Sequence, residues 1–231
     1  MLKLYSTCAG PLVAALPLIA GLLAPPIVSA ASLFSWNNSD GGSFQDSANW
    51  ISAVSGTPGP TDGAAVNLGP SPASLTNPIQ LNGDIEIDAF GVVGGQADLE
   101  LNGFDALLNG SLGVFPNDPA NQPILTILNS GASASVVDLQ GGAGTAVEVT
   151  GGGVLNLSGS GVSIVAPRAA VGIVLPNASL NDGVSTLDVD GSTLVLRSRL
   201  DIGANSAGAF VLEGAGTVSQ DPANALLPGG L

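Results

Sequence analysis

The sequence predicts an all-β chain wound as a right-handed parallel β-helix, with a cap over its first coil and a signal peptide ahead of it. Three observations carry this. Glycine and proline, 33 and 16 of the 231 residues, interrupt the chain too often for helices of ordinary length. The pieces between them alternate apolar and polar residues in the period-2 manner of half-buried strands. The strand centres also recur at steps near two dozen residues, which is one turn of a parallel β-helix.

Residues 1–30 read as an export signal. Lys3 and the α-amine precede an uncharged run from Leu12 to Leu23, Pro25 and Pro26 end it, and Val28-Ser29-Ala30 supplies the small-residue pattern for cleavage. Ala31 is then the first mature residue and the location is extracellular or at a bacterial cell surface. An uncleaved anchor would need an apolar run of about 20 residues, and Pro17 lies inside this shorter one. Cys8 stands before the run, where a lipidation cysteine should follow it.

Cleavage removes Met1, Lys3, Tyr5 and Cys8, each the single residue of its kind, and the chain has no histidine at all. The mature protein therefore has no disulfide, no Ser-His or Cys-His nucleophile, no Schiff-base lysine and no imidazole metal site. The full chain sets 18 acidic residues against four basic ones, a net charge of -14. Nothing in it can neutralise a phosphate backbone, which excludes a nucleic-acid binder.

Residues 31–80 form the cap and first coil. Trp36, Phe44 and Trp50 are its densest aromatic cluster, and rings that each bury about 150–250 Å² suit a lid over an open coil better than a sugar-stacking platform. Residues 81–219 hold the repeats. The segments Asp84–Asp88, Asp98–Leu101, Thr145–Val149, Val154–Leu157, Thr186–Asp190 and Thr193–Leu196 are short alternating strands bounded by Gly, Asn or Asp. Gly151-Gly152-Gly153 and Ser158-Gly159-Ser160-Gly161 read as corners. Taking Leu99, Leu125, Val147, Ile173, Leu194 and Val218 as centres gives steps of 26, 22, 26, 21 and 24 residues, hence about five turns beyond the first coil. An antiparallel sandwich is the rival, since it also spaces short strands at about 8–12 residues. In the coiled reading, aliphatic residues stack inside and Asp, Glu, Asn, Ser and Thr point out. Residues 220–231 read as a tail or a truncated continuation.

Two stretches resemble a known class. In residues 34–68, Trp36, Phe44, Asn49-Trp50, Pro58-Gly59-Pro60, Asp62 and the Ala65-Val66 pair are similar to the opening of many secreted bacterial β-helix proteins, with Phe44 where tryptophan is usual. Residues 200–218, from Leu200-Asp201-Ile202-Gly203 to Gly214-Ala215-Gly216-Thr217-Val218, resemble autotransporter-associated β-strand repeats. The resemblance implies an autotransporter-like passenger.

The candidate chemistry is confined to carboxylates. Asp84, Glu86 and Asp88 fall on one strand face, with neighbours about 6.6 Å apart, close to the separation in an inverting glycosidase. A strand with polar residues outward produces that spacing by alternation alone, and the solvated-face reading is preferred. Asp188-Val189-Asp190-Gly191 has a fragment of a calcium-loop pattern, but an EF-hand register puts Arg197 where the bidentate Glu belongs. The sequons at Asn37, Asn109, Asn156 and Asn177 reflect a chain rich in Asn and Ser. Arg197 and Arg199 share a strand face and are assigned carboxylate partners, with Arg168 the remaining mature cation.

The expectation is therefore a secreted or surface-exposed structural or adhesive stalk, a fragment of a longer passenger, with no catalytic residue, cofactor or metal site. Its expected partners are polysaccharide or another cell surface, with self-association through the carboxyl-terminal coil. The alternative is a carbohydrate-active enzyme or polysaccharide-binding module using surface carboxylates.

Overall fold

The computed structural model describes residues 32–52, 59–60, 64–68, 75–116, 122–142, 145–172, 183–203 and 207–220. The export signal read at residues 1–30 lies outside the described residues, as do Asp62, Ile173, Asn177 and residues 221–231. In chain order the strands are β1 (Ser32–Trp36), β2 (Gly42–Ser43), β3 (Trp50–Ser52), β4 (Ala64–Asn67), β5 (Ile79–Gln80), β6 (Ile85–Ile87) and β7 (Ala89–Val92). They continue as β8 (Gln96–Glu100), β9 (Ala106–Leu108), β10 (Leu112–Val114), β11 (Ile124–Leu128), β12 (Ser135–Leu139) and β13 (Val147–Val149). The last are β14 (Val154–Ser158), β15 (Val162–Val171), β16 (Ser185–Asp190), β17 (Thr193–Ile202), β18 (Gly208–Glu213) and β19 (Thr217–Gln220).

Among the described residues there is no α-helix. The longest stretch free of Gly and Pro at the amino-terminal end makes only a 3-10 turn, Ser47–Asn49, before becoming β3. The Asp46 carboxylate caps that turn by accepting from the Ala48 N–H.

The strands form two sheets of parallel neighbours. One runs β2-β5-β8-β11-β14-β16-β18. The other has two arms, β6-β9-β12 and β1-β4-β7-β10-β13, joined because the long strands β15 and β17 belong to both. The chain visits the first sheet, then one arm, then the other, and returns to pair in parallel with the strand of the preceding circuit. That pattern is compatible with a β-helix and excludes the antiparallel sandwich. The single antiparallel pair among the described strands is β1 with β3, where the chain folds back at the amino-terminal end.

Inward residues stack circuit on circuit. Leu99, Ile127, Leu157 and Val189 are register partners in one such column, and all are buried. On the third face Phe34, Val66, Phe90, Leu112, Val147 and Ala169 form another. Removing these side chains from water is the main stabilising term, at about 25 cal/mol per Å² of apolar area.

The period inferred from the sequence needs correction. Only Leu194 and Val218 of the chosen centres pair directly, 24 residues apart. Leu99 pairs with Ile127 and Leu125 with Ala97, while Val147 belongs to another face. A circuit takes 20 residues from Ile79 to Leu99 and 32 from Leu157 to Val189. Strand stacking fixes register, whereas the corners absorb insertions at a closure cost that grows only slowly with length.

The outward residues are also less uniformly polar than alternation suggests. In the arm that holds β7, β10 and β13, Gly91, Gly113 and, on the adjoining β15, Ala170 are outward yet buried. The Phe115 ring lies back over Gly113, on ground that a Cβ would occupy.

Candidate functional site

The amino-terminal end is built on four rings. Trp50 meets Trp36 and Phe44 edge-on with ring centroids 4.9 Å from each, and Phe34 at 6.5 Å. Polar handles are satisfied inside: Trp50 Nε1 donates to the Phe44 carbonyl at 2.7 Å and Trp36 Nε1 to the Asn38 carbonyl at 2.5 Å. Asn49 explains its place beside Trp50, since its Nδ2 donates to the Ser43 carbonyl and its Oδ1 accepts from Asn38 Nδ2. Trp36 and Phe44 are 2% exposed and Trp50 8%, so no ring face is open to a sugar.

Beside this cluster lies a cleft of about 300 Å³, lined by Phe44, Gln45 and Pro60 and by Asp84, Ile85, Glu86 and Ile87. It brings together two of the three carboxylates singled out in the sequence and leaves Asp88 out of the lining. Each of the two already holds a hydrogen bond. Asp84 Oδ1 accepts from the Asp105 N–H at 2.9 Å, and Glu86 Oε1 from Asn109 Nδ2 at 3.2 Å. Asp105 repeats the device one circuit on, its Oδ1 accepting from the Val136 N–H at 2.7 Å. The aspartates at this corner thus cap the main chain of the next circuit, a use of acidic residues that alternation alone does not reveal.

A second feature runs across the first sheet. Asp98, Thr126, Asn156 and Asp188 are successive register partners on its outer side. Strands about 4.8 Å apart make this a polar column roughly 14 Å long. Oδ1 of Asp98 and Oδ1 of Asp188 are shielded from solvent and accept no hydrogen bond. Asp190 stands exposed at the end of β16, and among the described residues no three acidic side chains gather to hold a metal ion.

All three described arginines are paired. Arg197 Nη2 meets Asp138 Oδ1 at 2.6 Å and its Nη1 donates to the Leu139 carbonyl at 2.6 Å, reaching across β15. Arg199 Nε lies 2.8 Å from Asp201 Oδ2, and Arg168 Nη2 3.3 Å from Glu148 Oε1. The carboxylate partners read for Arg197 and Arg199 are present.

Of the described sequon residues, Asn156 is in the outward column, Asn109 binds Glu86, and Asn37 follows β1. No helix among the described residues is long and apolar enough to cross a membrane. No family model, curated protein or solved structure matches the chain.

Proposed function

We propose that the chain is an exported, right-handed parallel β-helix that serves as a structural or adhesive element at a cell surface, without catalysis, in the manner of an autotransporter-like passenger. The observation that carries this reading is the column Asp98-Thr126-Asn156-Asp188. It repeats acceptors and donors at strand spacing along one face, and all four of its side chains are half-buried, so each keeps part of its surface in solvent. The polar atoms that these side chains leave in solvent can meet a hydroxyl-rich polymer such as a polysaccharide through many weak contacts. Self-association belongs to the same reading, since Ile202 and Leu212 are 45% and 50% exposed on the last strands.

The cleft at Asp84 and Glu86 gives the carbohydrate-active alternative its one foothold. Both readings are tested on one panel of polysaccharides, by retardation in affinity gels and by release of reducing sugar. Retardation lost on Asn156→Leu, with no sugar released, is the expected result. Turnover abolished by Glu86→Gln would overturn the non-catalytic reading.

A further inference from the structure

The strand β6 is the end of its arm of the sheet and pairs only with β9 among the described strands. The Ile85 N–H donates to the Asp105 carbonyl and the Ile87 carbonyl accepts from the Asn109 N–H, so residues 85 and 87 bond toward β9. Parallel ladders alternate by residue, so the N–H and C=O of Glu86 face the opposite edge, where the cleft runs. An unpaired edge of this kind is a template for another strand.

The groove is formed before anything enters it. Gln45 Nε2 donates to the Gly83 carbonyl at 2.9 Å and its Oε1 accepts from the Asn82 N–H at 3.0 Å. Phe44 is buried against Trp50, with its N–H on the Gln80 carbonyl. A wall held in this way loses little freedom on binding. The charge of the groove is one-sided: Asp84 and Glu86 are exposed on its rim, and the described arginines pair with Glu148, Asp138 and Asp201. A cation is attracted there.

We propose that this groove captures an extended basic peptide of a partner protein, which adds to β6 as a further antiparallel strand, sets a lysine or arginine beside Glu86 and turns its flanking apolar residues to the side of half-buried Ile85. Edge pairing supplies affinity and the alternating side chains supply selectivity. The inference goes beyond the adhesive reading: it concerns a different face, and polysaccharide binding can fail without affecting it.

The test uses the full mature chain and a labelled peptide of alternating valine and lysine, read by fluorescence anisotropy. Saturable binding is expected. N-methylation of the central lysine amide, which removes one main-chain donor and keeps the charge, should weaken it by about three- to tenfold. A valine–glutamate peptide should bind at least about tenfold more weakly, and Glu86→Lys should reverse that preference. Glu86 is exposed and its pairing groups are main-chain, so Glu86→Lys leaves the fold intact; slowed exchange of the Glu86 amide on adding peptide gives a second readout. Equal binding of the N-methylated peptide would show mere charge attraction and overturn the proposal. So would unchanged exchange at Glu86, or dimerisation of the protein through β6 in place of peptide capture.

Discussion

Glu100 is 4% exposed and carries a charge into the corner after β8, where its Oε1 accepts from the Ser130 N–H at 2.7 Å and the Asn102 N–H at 3.2 Å. Two main-chain donors from successive circuits thus share one carboxylate, and an ionised acceptor makes stronger bonds than a neutral one. Glu100→Ala strands both donors in a buried corner and should destabilise the protein by about 1–3 kcal/mol in urea unfolding, with Glu100→Gln losing less because it keeps an acceptor. The same corner holds Asn102 at φ 54°, a conformation asparagine tolerates, with its Nδ2 on the Leu81 carbonyl. Gly113 is constrained from outside instead. Gly113→Ala places a methyl group in the Phe115 ring and should cost about 1–3 kcal/mol, as overpacking does. Adding Phe115→Ala should recover part of that loss in a double-mutant cycle; simple additivity of the two changes would refute the steric account.

Strands and corners divide the work between them. The strands hold register by stacking, and the corners are closed by side chains that span circuits. Asn129 is the fullest case, its Oδ1 accepting from the Gly103 and Gly131 N–H groups and its Nδ2 donating to the Ser133 and Gly161 carbonyls. Arg197 ties β17 to β12 over the intervening β15, with half of its fork on a carboxylate and half on the Leu139 carbonyl. Both partners of the ion pair are 27% exposed, which limits the pair to about 1 kcal/mol. Arg197→Ala should therefore cost more than Asp138→Asn, because only the first also frees the Leu139 carbonyl; equal losses in thermal unfolding would contradict this. Much at this scale was readable in the sequence. The segments around Ile85, Leu99, Val147, Leu155, Leu187 and Leu194 are all strands, because period-2 alternation and glycine stops are local signals. The glycine corners also fall where expected, with Gly151, Gly152 and Gly159 at positive φ. The circuit length was not readable, since corners tolerate insertions and nothing local records which strand lies above which. Nor was the cleft, which depends on Gln45 meeting Gly83 across 38 residues of chain.

Apart from the Arg197 contact across β15, stacked circuits meet mainly their neighbours, so stability in such a molecule approaches a sum of local terms rather than one all-or-none quantity. The inner side chains of the middle circuits are sealed: Leu125, Ile127, Leu155 and Leu187 have no exposed surface. The end circuits differ. Trp36, Phe44 and Trp50 are buried against one another in the first described circuit, whereas on β18 and β19 Phe210 and Val218 are only half-buried and Leu212 is exposed. Less apolar area removed from water means a smaller free energy for local opening. Hydrogen exchange followed by mass spectrometry should therefore show a gradient, with amides of β18 and β19 exchanging fastest and those of β8, β11 and β14 slowest. Leu155→Ala should cost about 2–5 kcal/mol and raise exchange mainly in β11, β14 and β16, the strands that meet it, while leaving β1 and β4 protected. Uniform acceleration across the chain would mean that the circuits unfold as one unit, and the sum of neighbouring interfaces would then be the wrong description of what holds this protein together.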